Sequence, residues 1–188
     1  MIKSYKGMEA KKTTSSSPLP AGGYVAKIIN AKVESYSWGE VLVVALDIAE
    51  GEYKDFFKTQ YDANTNEDKK WKGTFRLTVP DENSQYFESN KRMFNNFIYA
   101  LEDSNVGYHY DCDEKNLKGK LFGVLYRNKE FETSNGDCLW TTECAGSTDV
   151  SSIRSGDFRL PKDKPLKNKS QTDQNDFTAI GDGDDLPF

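Results

Sequence analysis

The sequence predicts a mainly β domain, five strands with one helix between the third and fourth, followed by a disordered acidic tail. Three observations carry this. Short β-branched and apolar runs with period-two alternation recur along the chain. A single segment, residues 81–102, switches to helical spacing. From Pro161 onward the chain is rich in Pro, Lys, Asn, Gln, Ser and Asp with little to bury, so it cannot offset its ordering entropy.

The elements follow in order. Residues 1–20 read as a flexible N-terminal arm, mildly basic through Lys3, Lys6, Lys11 and Lys12 against Glu9. Residues 24–34 alternate, with Val25, Ile29, Ala31 and Val33 expected on the covered side. A turn over residues 35–39 leads to the β-branched run 41–48, a strand–turn–strand pattern with two aromatics, Tyr36 and Trp38, at a place where hairpins usually show polar side chains. Residues 50–72 read as polar and irregular, although they hold Tyr53, Phe56, Phe57, Tyr61 and Trp71. A third strand over residues 73–79 turns Phe75, Leu77 and Val79 one way and Thr74, Arg76 and Thr78 the other, which means one covered and one wet face.

Residues 81–102 place Tyr86, Asn90, Met93, Phe94, Phe97, Ile98 and Leu101 on one helical stripe, the pattern of core packing. Two further strands are expected over residues 121–127 and 137–143. Phe75, Phe122 and Trp140 are assigned to the core or left open. This order is that of the OB-fold, a five-stranded, partly open Greek-key barrel whose ligands are oligonucleotides and oligosaccharides. The division is an arm over 1–20, an OB-fold domain over 21–160, and a disordered linker with an acidic tail over 161–188.

Composition narrows the function. The 188 residues are 36% hydrophobic, 29% charged and 13% aromatic, with a mean hydropathy of -0.76. The aromatic share is high for so polar a chain, so part of it must fold. No run approaches the roughly 20 apolar residues of a membrane span, and the lysines at the start have no apolar segment behind them, so a soluble, cytoplasmic protein is expected. Three cysteines without a C-x-x-C pair read as reduced side chains. The formal charge of -5 belongs to the tail: residues 170–188 hold five aspartates and no Lys or Arg, leaving 25 acids against 25 bases elsewhere. The acidic balance therefore does not argue against an anionic ligand for the body.

The chain ends in Gly181-Asp182-Gly183-Asp184-Asp185-Leu186-Pro187-Phe188. Phe188 offers a ring and an α-carboxylate together, which a partner can take with an apolar pocket, a cation and a basic rim. Asp184-Asp185-Leu186-Pro187-Phe188 resembles the tail of bacterial single-stranded DNA-binding proteins, which commonly end in Asp-Asp-Ile/Leu-Pro-Phe. The resemblance implies that Asp182, Asp184, Asp185, Leu186, Pro187 and Phe188 recruit replication, recombination and repair proteins. The body, through Leu19-Pro20-Ala21-Gly22-Gly23-Tyr24, the alternating strand and Gly51-Glu52-Tyr53, is similar to phage-encoded single-strand-binding proteins of Gram-positive hosts.

Binding single strands without sequence preference needs aromatic platforms and a cationic groove. The candidates are Tyr36 and Trp38 in the first hairpin; Phe57, Tyr61 and Trp71 interleaved with Lys54, Lys58, Lys70 and Lys72; Arg76 on the third strand; and Tyr126, Arg127, Lys129 and Phe131 toward the last hairpin. No cofactor and no catalytic residue is expected; homo-oligomerisation is left open. The aspartate tail is expected to compete with DNA, so its removal should leave binding intact or tighter at low salt. Two other classes remain open to the sequence: an interaction adaptor that binds no nucleic acid, and a metal-dependent nuclease built from scattered carboxylates. A zinc site of His109, Cys112, Cys138 and Cys144 is disfavoured, because Cys138 and Cys144 would stand about 20 Å apart along one strand.

Overall fold

The computed structural model describes residues 17–166. Five strands form one antiparallel sheet in the order β3-β2-β1-β4-β5. They are β1 (Gly22–Tyr36), β2 (Gly39–Ile48), β3 (Thr74–Thr78), β4 (Leu121–Glu132) and β5 (Cys138–Thr148). β1 is the spine: it pairs with β4 over residues 22–27 and with β2 over residues 26–36. The edge strands β3 and β5 approach each other, and helix α2 (Phe87–Ser104) lies against β3, β4 and β5. The result is an OB-like, partly open five-stranded barrel with a helix between its third and fourth strands, as the sequence predicts.

The core is aromatic where the helix enters. Phe75, Phe97 and Phe122 pack with centroid distances of 5.3 to 6.1 Å, two of the three contacts edge-on. This geometry suits the ring quadrupoles. From the expected helical stripe, Asn90, Phe97 and Leu101 are buried, while Met93 and Tyr86 are exposed. Asn105 locks the helix end to β4: its amide donates to the carbonyls of Leu101 and Leu121, each at 2.7 Å, and its carbonyl accepts from Leu121 N.

Four expectations need correction. In β1, Ala26, Ile28 and Ala31 face the core, whereas Ile29 and Val33 are exposed. For Ile29 the cause is a bulge: the pairing with β2 shifts register between Ile28 and Asn30, and an extra residue reverses which parity faces inward. Val33 keeps the inward parity of Ala31, opposite Leu42, but is 40% exposed toward the hairpin end. Second, part of the segment read as irregular is a helix, α1 (Phe56–Ala63). Its first turn is seated by the buried carboxylate of Asp47, which accepts from Phe57 N at 2.9 Å and Lys58 N at 3.1 Å. These amides lack intrahelical partners.

Third, the arm is shorter than expected: Leu19 is buried and its carbonyl accepts from the Thr142 hydroxyl, so residues 17–20 belong to the body. Residues 1–16 lie outside the described residues. Fourth, the body continues past residue 160. A short helix, α3 (Val150–Ser155), is capped by Asp149, which accepts from Ser152 N at 2.7 Å and from the hydroxyls of Ser151 and Ser152. These hydroxyls hold the Asp149 carboxyl well below the usual carboxylate range. The chain then runs beside β4, where Lys164 bridges Lys129 in parallel through Glu130 N to Lys164 O and Lys164 N to Asn128 O, both 2.9 Å. The expected disorder and acidic tail over 167–188 lie outside the described residues.

α3 rests on a dent made by two glycines. A Cβ on Gly23 would meet Phe158 and Ile153 at 2.6 and 2.7 Å, and one on Gly123 would meet Ile153 at 2.6 Å and the Asp149 carbonyl at 2.9 Å. Arg154 braces the helix to Glu50 at 2.6 Å. Among the described residues no helix is long and apolar enough to cross a membrane.

Candidate nucleic-acid interface

The outer face of β1, β2 and β3 is built in rows by the ladder register: Asn30, Ala45 and Thr74; Lys32, Val43 and Arg76; Glu34, Val41 and Thr78. Val41 and Val43 are buried beneath their longer neighbours and stand apart from the main core cluster. Around Glu34 the polar groups converge. Its carboxylate takes Lys32 Nζ at 2.7 Å, Arg76 Nη2 at 2.9 Å and the Tyr36 hydroxyl at 2.6 Å. Arg76 Nη2 also donates to the Tyr36 hydroxyl at 2.6 Å. Lys32 and the Tyr36 hydroxyl, helped by Arg76, lower the Glu34 carboxyl to about 2. The Tyr36 ring stacks on Trp38, with centroids 5.3 Å apart and planes 10° from parallel. Trp38 is 55% exposed at the hairpin tip. The sequence candidates Tyr36, Trp38 and Arg76 are thus brought together.

A second cluster lies beyond the opposite end of β3. Tyr61 of α1 packs on Trp71 at 5.7 Å, and Lys69 Nζ sits 4.5 Å from the Tyr61 centroid. The Trp71 indole N–H is shared by the carbonyls of Leu46 and Gly73, each at 3.0 Å, and the ring packs against the core. Lys54, Lys70 and Lys72 are exposed in the flanking loops, and Lys58 pairs with Asp62 at 2.8 Å.

A third cluster is the β4–β5 ribbon, which is longer than the sequence predicts. Arg127 at 2.6 Å, Lys129 at 3.3 Å and Lys164 at 3.9 Å surround the Glu143 carboxylate, and Phe131 is half-buried nearby along the ribbon. Trp140, assigned to the core or left open above, is 52% exposed, with Leu139 exposed beside it. Consecutive strand residues point to opposite faces, so the ribbon shows apolar surface on both.

Two candidates are not available to a ligand. Phe57 is 6% and Tyr126 5% exposed; both belong to the core cluster, their rings 6.4 Å apart. Phe57 is drawn inward by the Asp47 seat of α1, and Tyr126 lies on the inward parity of β4, where burial pushes its hydroxyl far up. Residues without a role in the sequence reading are Lys32, Glu34 and Lys164. The signal for the first two was present: residues 32, 34 and 36 alternate on one face. Asp182, Asp184, Asp185, Leu186, Pro187 and Phe188 lie outside the described residues.

The residues of the disfavoured zinc site are spread out. His109 and Cys112 are exposed in a loop, Cys138 is exposed at the start of β5, and burial pushes the Cys144 thiol up. Among the described residues no three of His, Cys, Asp and Glu are grouped to hold a metal. Comparison of the chain with protein-family models gives no match, and comparison with curated proteins gives none either.

Proposed function

We propose that this chain binds single-stranded DNA, largely without sequence preference, and performs no chemistry. The observation that carries the reading is the half-buried Tyr36 stacked on exposed Trp38, with Arg76, on the outer face of an OB-like barrel. In this fold the face of strands two and three and the loops after strands one and four take oligonucleotides. Trp38 stands on the first of those loops, Arg76 on that face, and Trp140 on the ribbon leading to the second loop. Stacked rings accept any base, because every base has a π-face, and each stacked base contributes about 1–3 kcal/mol. The Asp-Asp-Leu-Pro-Phe ending supports a second role, recruitment of replication, recombination and repair proteins by the tail, in a phage or bacterial setting.

The test is quenching of tryptophan fluorescence by oligo-dT at low salt, with gel shifts against single-stranded DNA, duplex DNA and RNA. Quenching is expected, weakening with salt by a slope near -0.7 per phosphate neutralised. No quenching and no shift would leave the adaptor reading in its place.

A further inference from the structure

On the face described above, one lysine, one arginine and one hydroxyl converge on the two oxygens of a single carboxylate, with Lys32 Nζ on Oε1 at 2.7 Å and Arg76 Nη2 and the Tyr36 hydroxyl on Oε2 at 2.9 and 2.6 Å. A phosphodiester offers the same thing to such donors, two acceptor oxygens and one negative charge. Next to this arrangement the Trp38 ring is open to solvent.

We propose that Glu34 is a resident anion: it fills the phosphate position on this face, so that a nucleic acid docks by exchanging a phosphodiester for the carboxylate. This rests on the single-strand reading above and adds what holds down the contribution of charge on this face. Exchange of one anion for another leaves little net gain from charge at this point. The gain comes instead from bases that stack on Tyr36 and Trp38, and only unpaired bases offer their faces. A ligand that presents phosphates alone meets a site where Glu34 already offsets one of the two positive charges. Glu34 stays ionised at neutral pH, since its partners hold it near 2, so protonation does not vacate the position.

A brace makes the opposite prediction from a resident anion. If Glu34 merely holds Tyr36 and Arg76 in place, its removal weakens binding; if it competes with phosphate, its removal tightens it. The experiment compares the full chain with Glu34→Gln and Glu34→Asp, titrating labelled oligo-dT and a duplex of equal length over a range of salt. The Glu34 side chain is 27% exposed above Val41 and Val43, so the substitutions leave the core in place. Glu34→Gln is expected to tighten oligo-dT and duplex binding by a similar factor, about three- to tenfold at low salt. It should also steepen the oligo-dT salt slope by about 0.7, the value of one further neutralised phosphate. Glu34→Asp should restore the wild-type slope. Weaker or unchanged binding by Glu34→Gln, with an unchanged slope, overturns the exchange while the single-strand reading stands. Failure of the wild-type chain to bind oligo-dT overturns that reading itself.

Discussion

The two ends of the β2–β3 outer face carry the same residue types, aromatic rings among cations, and use them differently. At the hairpin end Trp38 is exposed, and its partner Tyr36 is oriented by its hydroxyl through Glu34 and Arg76. At the α1 end the rings are committed to the fold: Phe57 is buried, and Trp71 spends its N–H on two backbone carbonyls while packing on the core. The difference lies in what the backbone nearby requires. The β1–β2 ladder satisfies its own amides, and the hairpin side chains bond one another, Tyr36 to Glu34 and Ser35 to Glu40, rather than the backbone. The α1 end has a helix terminus and a strand start to satisfy, and it recruits side chains to do so. Aromatic character alone therefore does not make a platform.

Substitutions at the two ends should separate these roles. The largest effect is expected for Phe57→Ala, a loss of about 3–5 kcal/mol of stability in urea denaturation, with oligo-dT affinity per folded molecule unchanged. Trp38→Ala should show the reverse: stability within about 0.5 kcal/mol of the wild type, but oligo-dT affinity lower by about 1–3 kcal/mol in a fluorescence-anisotropy titration. Equal losses of affinity from both substitutions would erase the distinction. Trp71→Phe keeps a ring and removes the N–H; a stability loss of about 1 kcal/mol is expected, with a smaller change in affinity than Trp38→Ala gives. The smallest effect is the pH dependence of the Glu34 cluster. Its folded pKa is depressed from 4.5 to about 2, so its contribution to stability is present above 4.5 and is lost as pH falls from there toward 2. Urea midpoints measured across that window should fall less steeply in Glu34→Gln than in the wild type.

Much of the barrel is legible in the sequence because its signals are local. The alternation in β3 correctly turns Phe75 and Leu77 inward and Arg76 outward, and the stripe of α2 correctly names Asn90, Phe97 and Leu101. What is not legible depends on distant partners. α1 has eight residues, and the side chain that seats its first turn is Asp47, on a strand upstream, while its own flanking Asp55 contributes no capping bond. The inward parity of β1 reverses at Ile29 because of a bulge against β2, which no property of Ile29 announces. Composition marks Pro161 to Leu166 as unstructured, yet Lys164 is fixed by backbone bonds to β4, and backbone bonds are blind to composition. The candidate site divides the same way. Tyr36, Trp38 and Arg76, named by type and spacing, come together in one cluster, Phe57 and Tyr126 are buried, and Trp140, left to the core or open, stands exposed because β4 and β5 run on past the barrel as a ribbon.

The glycine dent beneath α3 has a consequence for assembly. Gly23 and Gly123 come from strands far apart along the chain, and Ile153 touches down on both. That landing place does not exist until the first and fourth strands lie side by side. α3 is in this sense a latch, and it has nothing to close on before the barrel is complete.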